Sequence, residues 1–317
     1  MKRKSVGIIG VRGIGQVYLR ELSIIGVKKI YILGTNYKNS IKNKNLLQKD
    51  SNLEIIPCSS IEDFKSKKLD IICICSPTNT HLKFINKFLK TKSKLIVEKP
   101  LFDLRNLTDK KIKLTSKNLF EKYPSKFITN LPLIDYTNSL KKKFKINKKK
   151  IKDIKFKYYT SGKNLYKDIG IDLLPHSLSF LLYFYSIKKN NIEIKSKIVK
   201  KNIWKIKFKF DNINCTFDFN ENVNRKKTIL NIDLNNNSFL RVQKKHKSKL
   251  SRSYEYIKNG TSLKKINNPM STSIKKNLKK LIENRINKKD IQLQKSLISI
   301  MSFFIKKWNQ AKIYFYQ

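Results

Sequence analysis

The sequence predicts two domains, an α/β domain on a parallel sheet over residues 1–125 and an α+β domain with a largely antiparallel sheet over residues 126–317. Three observations predict this. A first apolar run ends in a glycine-rich turn, Val6 to Gly15, and passes directly into helical spacing. Short apolar runs and helical spacings then alternate for about 125 residues, as when parallel strands are joined by helices. Further on, runs of period two follow one another with Asn and Asp between them, the pattern of antiparallel neighbours.

In order along the chain, Val6 to Ile9 reads as a strand, Gly15 to Ile25 as a helix, Ile30 to Leu33 as a second strand and Leu69 to Cys75 as another. Ser59-Ser60-Ile61-Glu62-Asp63 carries the serine and acid, three apart, that start a short helix. The strand ending at Cys75 runs into Ser76-Pro77-Thr78-Asn79-Thr80-His81 and a helix over Leu82 to Leu89. Beyond Phe127 the period changes. Ile151 to Tyr159 alternates, Asp172 to Ile187 reads as one apolar helix, and strands follow at Ile192–Val199, Ile203–Phe210, Ile213–Phe219, Ile229–Leu234 and Phe239–Val242. Asp211-Asn212 and Asn235-Asn236-Asn237 supply turns, and helices over Ser273–Asn284 and Ile291–Gln310 close the chain. There is no internal repeat.

The net charge of +49, from 71 Lys+Arg against 22 Asp+Glu, raises nucleic acid or an anionic membrane as a partner. Composition argues against both. Only 8 of the 71 are arginine, the residue suited to phosphate and base edges, and the 63 lysines are spread along the chain among many Asn and Ile. The excess is read as a coding bias, with no specific nucleic acid and no membrane as partner. The densest run, Lys141 to Lys152, is expected to be a solvated loop or strand edge. Cys58, Cys73, Cys75 and Cys215 form no C-x-x-C pair and predict buried, reduced thiols rather than a metal site. Lys2, Arg3 and Lys4 precede an apolar run, but Arg12 and three glycines interrupt any leader, and Leu178 to Ile187 is far short of a membrane span. A cytoplasmic protein is expected.

The chemistry-bearing motifs begin with the turn. In Gly10-Val11-Arg12-Gly13-Ile14-Gly15, Gly10 fits the glycine that permits a tight bend and Gly15 the one that lets helix and strand pack closely, as beneath a dinucleotide pyrophosphate. The intermediate position is Arg12, which either obstructs the phosphates or supplies charge to them. After the second strand no acid follows to bond a ribose 2′-hydroxyl; Gly34-Thr35-Asn36-Tyr37-Lys38 leaves room for a 2′-phosphate and favours NADP over NAD. Further on, Lys94 to Leu101 ends a strand on Glu98-Lys99-Pro100, and Asp172-Leu173-Leu174-Pro175-His176 forms a third element. Asp172 is either a helix N-cap or a functional group. As a cap it would place Pro175 in the first turn and His176 at a helix N-terminus, where the dipole keeps an imidazole neutral. His246, in a lysine run, is expected at the surface.

These four blocks, with Asn268-Pro269-Met270 before the terminal helices, resemble the Gfo/Idh/MocA family of glucose-fructose oxidoreductase and inositol dehydrogenase relatives over nearly the whole chain. The resemblance implies an N-terminal Rossmann domain and a C-terminal open-faced sheet. It places the cofactor against Gly10, Arg12, Gly13, Ile14, Gly15, Gly34, Thr35, Asn36, Ser76, Pro77, His81, Glu98 and Lys99. It implies that Lys99 contacts substrate hydroxyl and cofactor and that His176 is the acid/base group, with Asp172 beside it. The family's glycine run before the Asp/His block is absent; Lys163 and Tyr166 stand there as candidate substrate contacts, and Asp168 either shares the role of Asp172 or merely precedes the helix. Ser177 and Ser179 occupy positions where relatives carry further polar groups. The implied activity is interconversion of a secondary alcohol and a ketone on a sugar-like or sugar-nucleotide substrate. The alternatives are an imine or enone reductase, or a silent nucleotide-binding protein. A homo-oligomer, dimer or tetramer, is expected to cover the open sheet.

Overall fold

The computed structural model describes residues 4–48, 53–245 and 252–309. The chain divides into two compact units, Met1–Asn130 with Ser271–Gln294, and Leu131–Met270 with Lys295–Gln317. In the first unit β1 (Val6–Ile9), β2 (Lys29–Leu33), β3 (Glu54–Pro57), β4 (Ile71–Ile74), β5 (Lys94–Val97) and β6 (Phe127–Thr129) form a six-stranded sheet in the order β3-β2-β1-β4-β5-β6. Every pairing in it is parallel. Helices α1 (Ile14–Ile24), α2 (Tyr37–Gln48), α3 (Ile61–Ser66), α4 (Thr78–Phe88) and α5 (Asp109–Lys122) follow successive strands. β1 and β4 are buried at every residue, which is why they read as unbroken apolar runs rather than alternating ones. At the start of α3, Ser60 accepts from the Asp63 N–H at 3.0 Å while the Asp63 carboxylate accepts from the Ser59 N–H at 2.8 Å. The parallel sheet thus runs past residue 125, and Ser271–Gln294 groups with it. A three-residue strand such as β6 is too short to show a period.

In the second unit α6 (Pro132–Phe144), β7 (Asp153–Thr160) and α7 (Lys167–Phe184) precede β8 (Ile192–Lys200), β9 (Ile203–Phe210), β10 (Ile213–Glu221), β11 (Ile229–Leu234), β12 (Asn237–Lys245), β13 (Arg252–Lys258) and β14 (Ser262–Ile266). The eight strands are ordered β14-β13-β12-β11-β7-β10-β9-β8, antiparallel except for the central β7–β10 pair. Alternation assigns the faces: Ile154 and Phe156, Trp204 to Phe210, and Cys215 to Phe219 bury every second residue. Against that face α7 lies so close that a Cβ at Gly170 would sit 2.4 Å from Trp204 Nε1. Two helices end the described chain, α8 (Pro269–Ile282) and α9 (Lys288–Asn309).

The lysine run departs from expectation. Lys141 to Lys143 form the last turn of α6, where cations meet the negative end of the helix dipole, Lys145 takes a left-handed φ of 49° as its cap, and Lys148 to Lys150 make one 3₁₀ turn. All four cysteines are buried and free. Among the described residues no helix is long and apolar enough to cross a membrane, and no three His, Cys, Asp or Glu side chains cluster as a metal site would need. His246 lies outside the described residues, as do Lys2 and Arg3.

Candidate active site

The sheet order of the first unit reverses between β1 and β4, and ligands of open α/β sheets bind outside the carboxyl ends of the strands at such a point. Four chain segments leave the sheet there: Gly10, Gly34, Ser76 and Glu98 follow β1, β2, β4 and β5. Gly10 has φ +85°, and a Cβ on it would lie 2.6 Å from the Ser76 nitrogen. A Cβ on Gly15 would lie 2.0 Å from the Gly10 carbonyl oxygen, so this glycine lets α1 pack on the turn. Gly13 takes φ +52°, and a Cβ there would meet nothing within 4 Å. The displaced glycine therefore leaves open space above the turn. α1 begins with neither a side-chain cap nor an acid in its first turn; the Gly15 and Gln16 N–H groups donate to the Arg12 and Gly13 carbonyls at 3.0 and 3.2 Å, and the positive end of the helix dipole faces the turn without a carboxylate to neutralise it. These residues fit a dinucleotide pyrophosphate.

Arg12 is exposed and points Nη2 toward Asn39 Oδ1 at 3.5 Å. Asn39 in turn donates from Nδ2 to Thr35 Oγ1 at 3.0 Å and from its N–H to Asn36 Oδ1 at 2.9 Å, while the Gly34 N–H donates to Ser40 Oγ at 2.9 Å. The end of β2 is a neutral amide and hydroxyl network with one guanidinium beside it. No carboxylate takes part in these bonds.

Lys99 is the one residue from Leu95 to Phe102 that is not buried. The preceding Glu98 is 5 % exposed; it accepts from the Tyr18 hydroxyl at 2.6 Å and from Asn130 Nδ2 at 2.8 Å. Asn130 Oδ1 accepts from Ser273 Oγ at 2.7 Å and Asn277 Nδ2 at 3.2 Å, so a buried polar chain reaches from α1 to α8. Burial first, and then the Glu98 charge, push the Tyr18 phenol well above its usual range. On the other side the Lys99–Pro100 peptide is cis, and His81 holds the corner: Nδ1 is 2.9 Å from the Pro100 carbonyl oxygen and Nε2 2.8 Å from that of Ser76. His81 is fully buried and its pKa is lowered by that burial, against the two carbonyls that favour a second proton. It ties two strand ends together.

In the second unit α7 is buried on nearly every side. From Ile169 to Leu181 only Asp172 and His176, one helical turn apart, are not buried. His176 meets Tyr158 edge to face at 5.1 Å between ring centroids. The cap reading of Asp172 is overturned: α7 begins at Lys167 after Tyr166 (φ 52°), whose N–H donates to the Lys201 carbonyl at 3.0 Å, so Asp172, Pro175 and His176 lie inside the helix. The dipole argument for a neutral His176 falls with it, because that effect fades within the first turn. Asp168 is in that first turn, Lys163 and Tyr166 are exposed, and the buried Ser177 and Ser179 hydroxyls donate to the Leu174 and His176 carbonyls.

One residue of this region, Glu221, escaped the sequence reading. Glu221, 1 % exposed at the end of β10, lies within electrostatic reach of the Asp172 carboxyl and accepts from the Asn164 N–H and Nδ2 at 3.0 and 3.1 Å. Burial, then the Asp172 charge, raise its pKa to about 7. The available signal was its place in β10: in C-T-F-D-F-N-E it continues the core-facing set Cys215, Phe217, Phe219, where a carboxylate is out of character.

A parallel sheet with a glycine turn at its switch point, followed by a largely antiparallel second domain, is an architecture suited to holding a dinucleotide. Residues 4–117 match the Gfo/Idh/MocA model, an oxidoreductase family with an NAD-binding Rossmann fold. No curated protein matches the sequence. Among solved structures the chain is similar to a Gfo/Idh/MocA family oxidoreductase from Vibrio cholerae (TM-score 0.70, 12% identity, 97% of this chain and 98% of that one). It is also similar to the WlbA dehydrogenase from Thermus thermophilus in complex with NAD and UDP-GlcNAcA (0.63, 13%, 98% and 96%). A third is a 3-ketoreductase from Actinomadura kijaniata in complex with TDP-benzene and NADP (0.66, 12%, 94% and 95%). At these identities the likeness is one of fold.

Proposed function

We propose that this protein interconverts a secondary alcohol and a ketone on a sugar or sugar-nucleotide substrate by hydride transfer, with NADP preferred. The observation that carries the reading is selective exposure. In segments otherwise buried, the side chains left accessible are Lys99 in one unit and Asp172 and His176 in the other, the groups the family resemblance assigns to chemistry. Bound dinucleotide supplies the nicotinamide that takes or gives the hydride. Gly10, Gly13 and the N-terminus of α1 hold the pyrophosphate, with Ile14 and Gly15 behind them and Ser76 and Pro77 alongside; Gly34, Thr35 and Asn36 hold the adenosine ribose. Arg12, beside Asn39 and with no carboxylate in its network, supports a 2′-phosphate. The His176 imidazole takes the hydroxyl proton during oxidation and returns it during reduction, while the Lys99 ammonium stabilises the developing alkoxide. The substrate class is supported by the solved relatives, which include the WlbA complex with UDP-GlcNAcA and a UDP-N-acetylglucosamine 3-dehydrogenase from Acidithiobacillus ferrooxidans.

The test is a titration with NADPH and NADH followed by nicotinamide fluorescence, then turnover on a panel of UDP- and TDP-sugars. Lys99→Met and His176→Ala are expected to abolish turnover and spare dinucleotide binding. Unchanged turnover in both variants sinks the catalytic assignment, and binding of neither dinucleotide sinks the cofactor reading.

A further inference from the structure

The Glu221 carboxyl is built into the second unit with more care than a stray core acid requires. A Cβ on Gly162 would lie 1.9 Å from Glu221 Oε2, so the carboxyl rests directly on the backbone of the segment leading to α7. Asn164 donates to both of its oxygens, and its remaining partner is the Asp172 carboxyl. Two carboxyl groups set close together out of water are held most easily with a proton between them, because two like charges there repel. The charged group that bears on Glu221 is Asp172 from α7. Its hydrogen-bond and register partners among the described residues are neutral: Thr160 pairs with it on β7, the Asn202 carbonyl before β9 accepts from its N–H, and Asn164 is an amide; on the His176 side Tyr158 of β7 meets the imidazole, with the Arg241 guanidinium of β12 5.9 Å from the tyrosine ring. One turn beyond Asp172, on the same accessible strip of α7, is His176.

We propose that Glu221 is a positioning residue that acts on His176 through Asp172, the two carboxyls holding one proton between them and Asn164 fixing the pair in place. While the proton stays, the pair carries a single negative charge. When it leaves, the second charge beside α7 stabilises the imidazolium and makes His176 a stronger base. The pKa of about 7 puts this change in the neutral range. Its meaning for catalysis rests on the alcohol–ketone reading above, but the pair itself is a property of the protein alone.

The experiment is a carboxyl ¹³C and histidine ring ¹H NMR titration of the full-length chain from about pH 5 to about pH 9. The Glu221 signal is identified by its loss in Glu221→Gln, and the His176 signal, one of three histidines, by its loss in His176→Asn. In the unmodified protein the Glu221 carboxyl should titrate near 7 and the His176 curve should depart from a single-site form. In Glu221→Gln, whose amide can still bond Asn164 and Asp172, the His176 curve should become single-site with the melting temperature retained. Asp172→Asn should move the Glu221 titration downward. A Glu221 carboxyl that titrates in the ordinary range, or a His176 curve identical in Glu221→Gln and the unmodified protein, overturns the proposal. Turnover unaffected by Lys99→Met and His176→Ala overturns the catalytic reading instead and leaves the pair standing.

Discussion

Replacing Gly15 by alanine tests how the turn is built. The added methyl would sit 2.0 Å from the Gly10 carbonyl oxygen and 2.9 Å from its carbon, both backbone atoms that cannot swing aside. Carbon–oxygen contacts settle at about 3.3 Å or more, so α1 must draw back from the turn by roughly an ångström. Overpacking of this kind costs about 3 kcal/mol at the upper end of its usual range, and alanine returns about 1 kcal/mol through better helix propensity. A net loss of about 2 kcal/mol makes opening of the β1–α1 segment roughly thirtyfold more frequent. Hydrogen exchange across residues 6–24 reads this directly, and NADPH affinity should fall with it because the N–H groups at the start of α1 move. Exchange changed less than about twofold, with affinity unchanged, would refute the packing role assigned to Gly15.

Three further outcomes are expected. Tyr18→Phe removes the shortest hydrogen bond to the buried Glu98 carboxylate and should cost about 2 kcal/mol in urea unfolding, with lower NADPH affinity as the strand end carrying Lys99 loosens. The folded-state pKa of His81 is lowered by burial; below about 6.5 the unfolded chain binds a proton that the native state resists. Its contribution is therefore present above that pH and lost as pH falls, so melting temperature should drop on acidification and drop less in His81→Gln. Ser60→Ala should cost about 1 kcal/mol through loss of the α3 cap, read as faster exchange at the Asp63 amide.

Much of the fold was legible because it rests on local pattern. The unbroken apolar runs of β1 and β4 and the alternation of β9 and β10 each report how many faces a strand buries. What was missed is what local pattern does not encode. β6 is three residues long and β3 four, ending at Pro57, so neither shows a period, and nothing in Lys141–Lys152 signals that its first residues end a helix. The site divides in the same way. The glycines and Glu98-Lys99-Pro100 are contiguous motifs, whereas Glu221 meets Asp172 across 49 residues of chain and Glu98 meets Tyr18 across 80.

By itself the sequence determined the parallel and antiparallel domains and the turn suited to a dinucleotide, since each is written in residue type and spacing along one stretch of chain, while the lysine, aspartate and histidine worth testing came from the family resemblance of short contiguous motifs. Only the tertiary structure decided that Asp172 lies within α7 rather than capping it. It alone showed that the glycine displaced to position 13 leaves the turn open, and that a second carboxyl is brought against Asp172. Those facts depend on helix limits set by the Tyr166–Lys201 backbone bond, and on the β7–β10 pairing that carries Glu221 to the segment before α7. Contacts between residues far apart in sequence form only when the whole sheet closes its register.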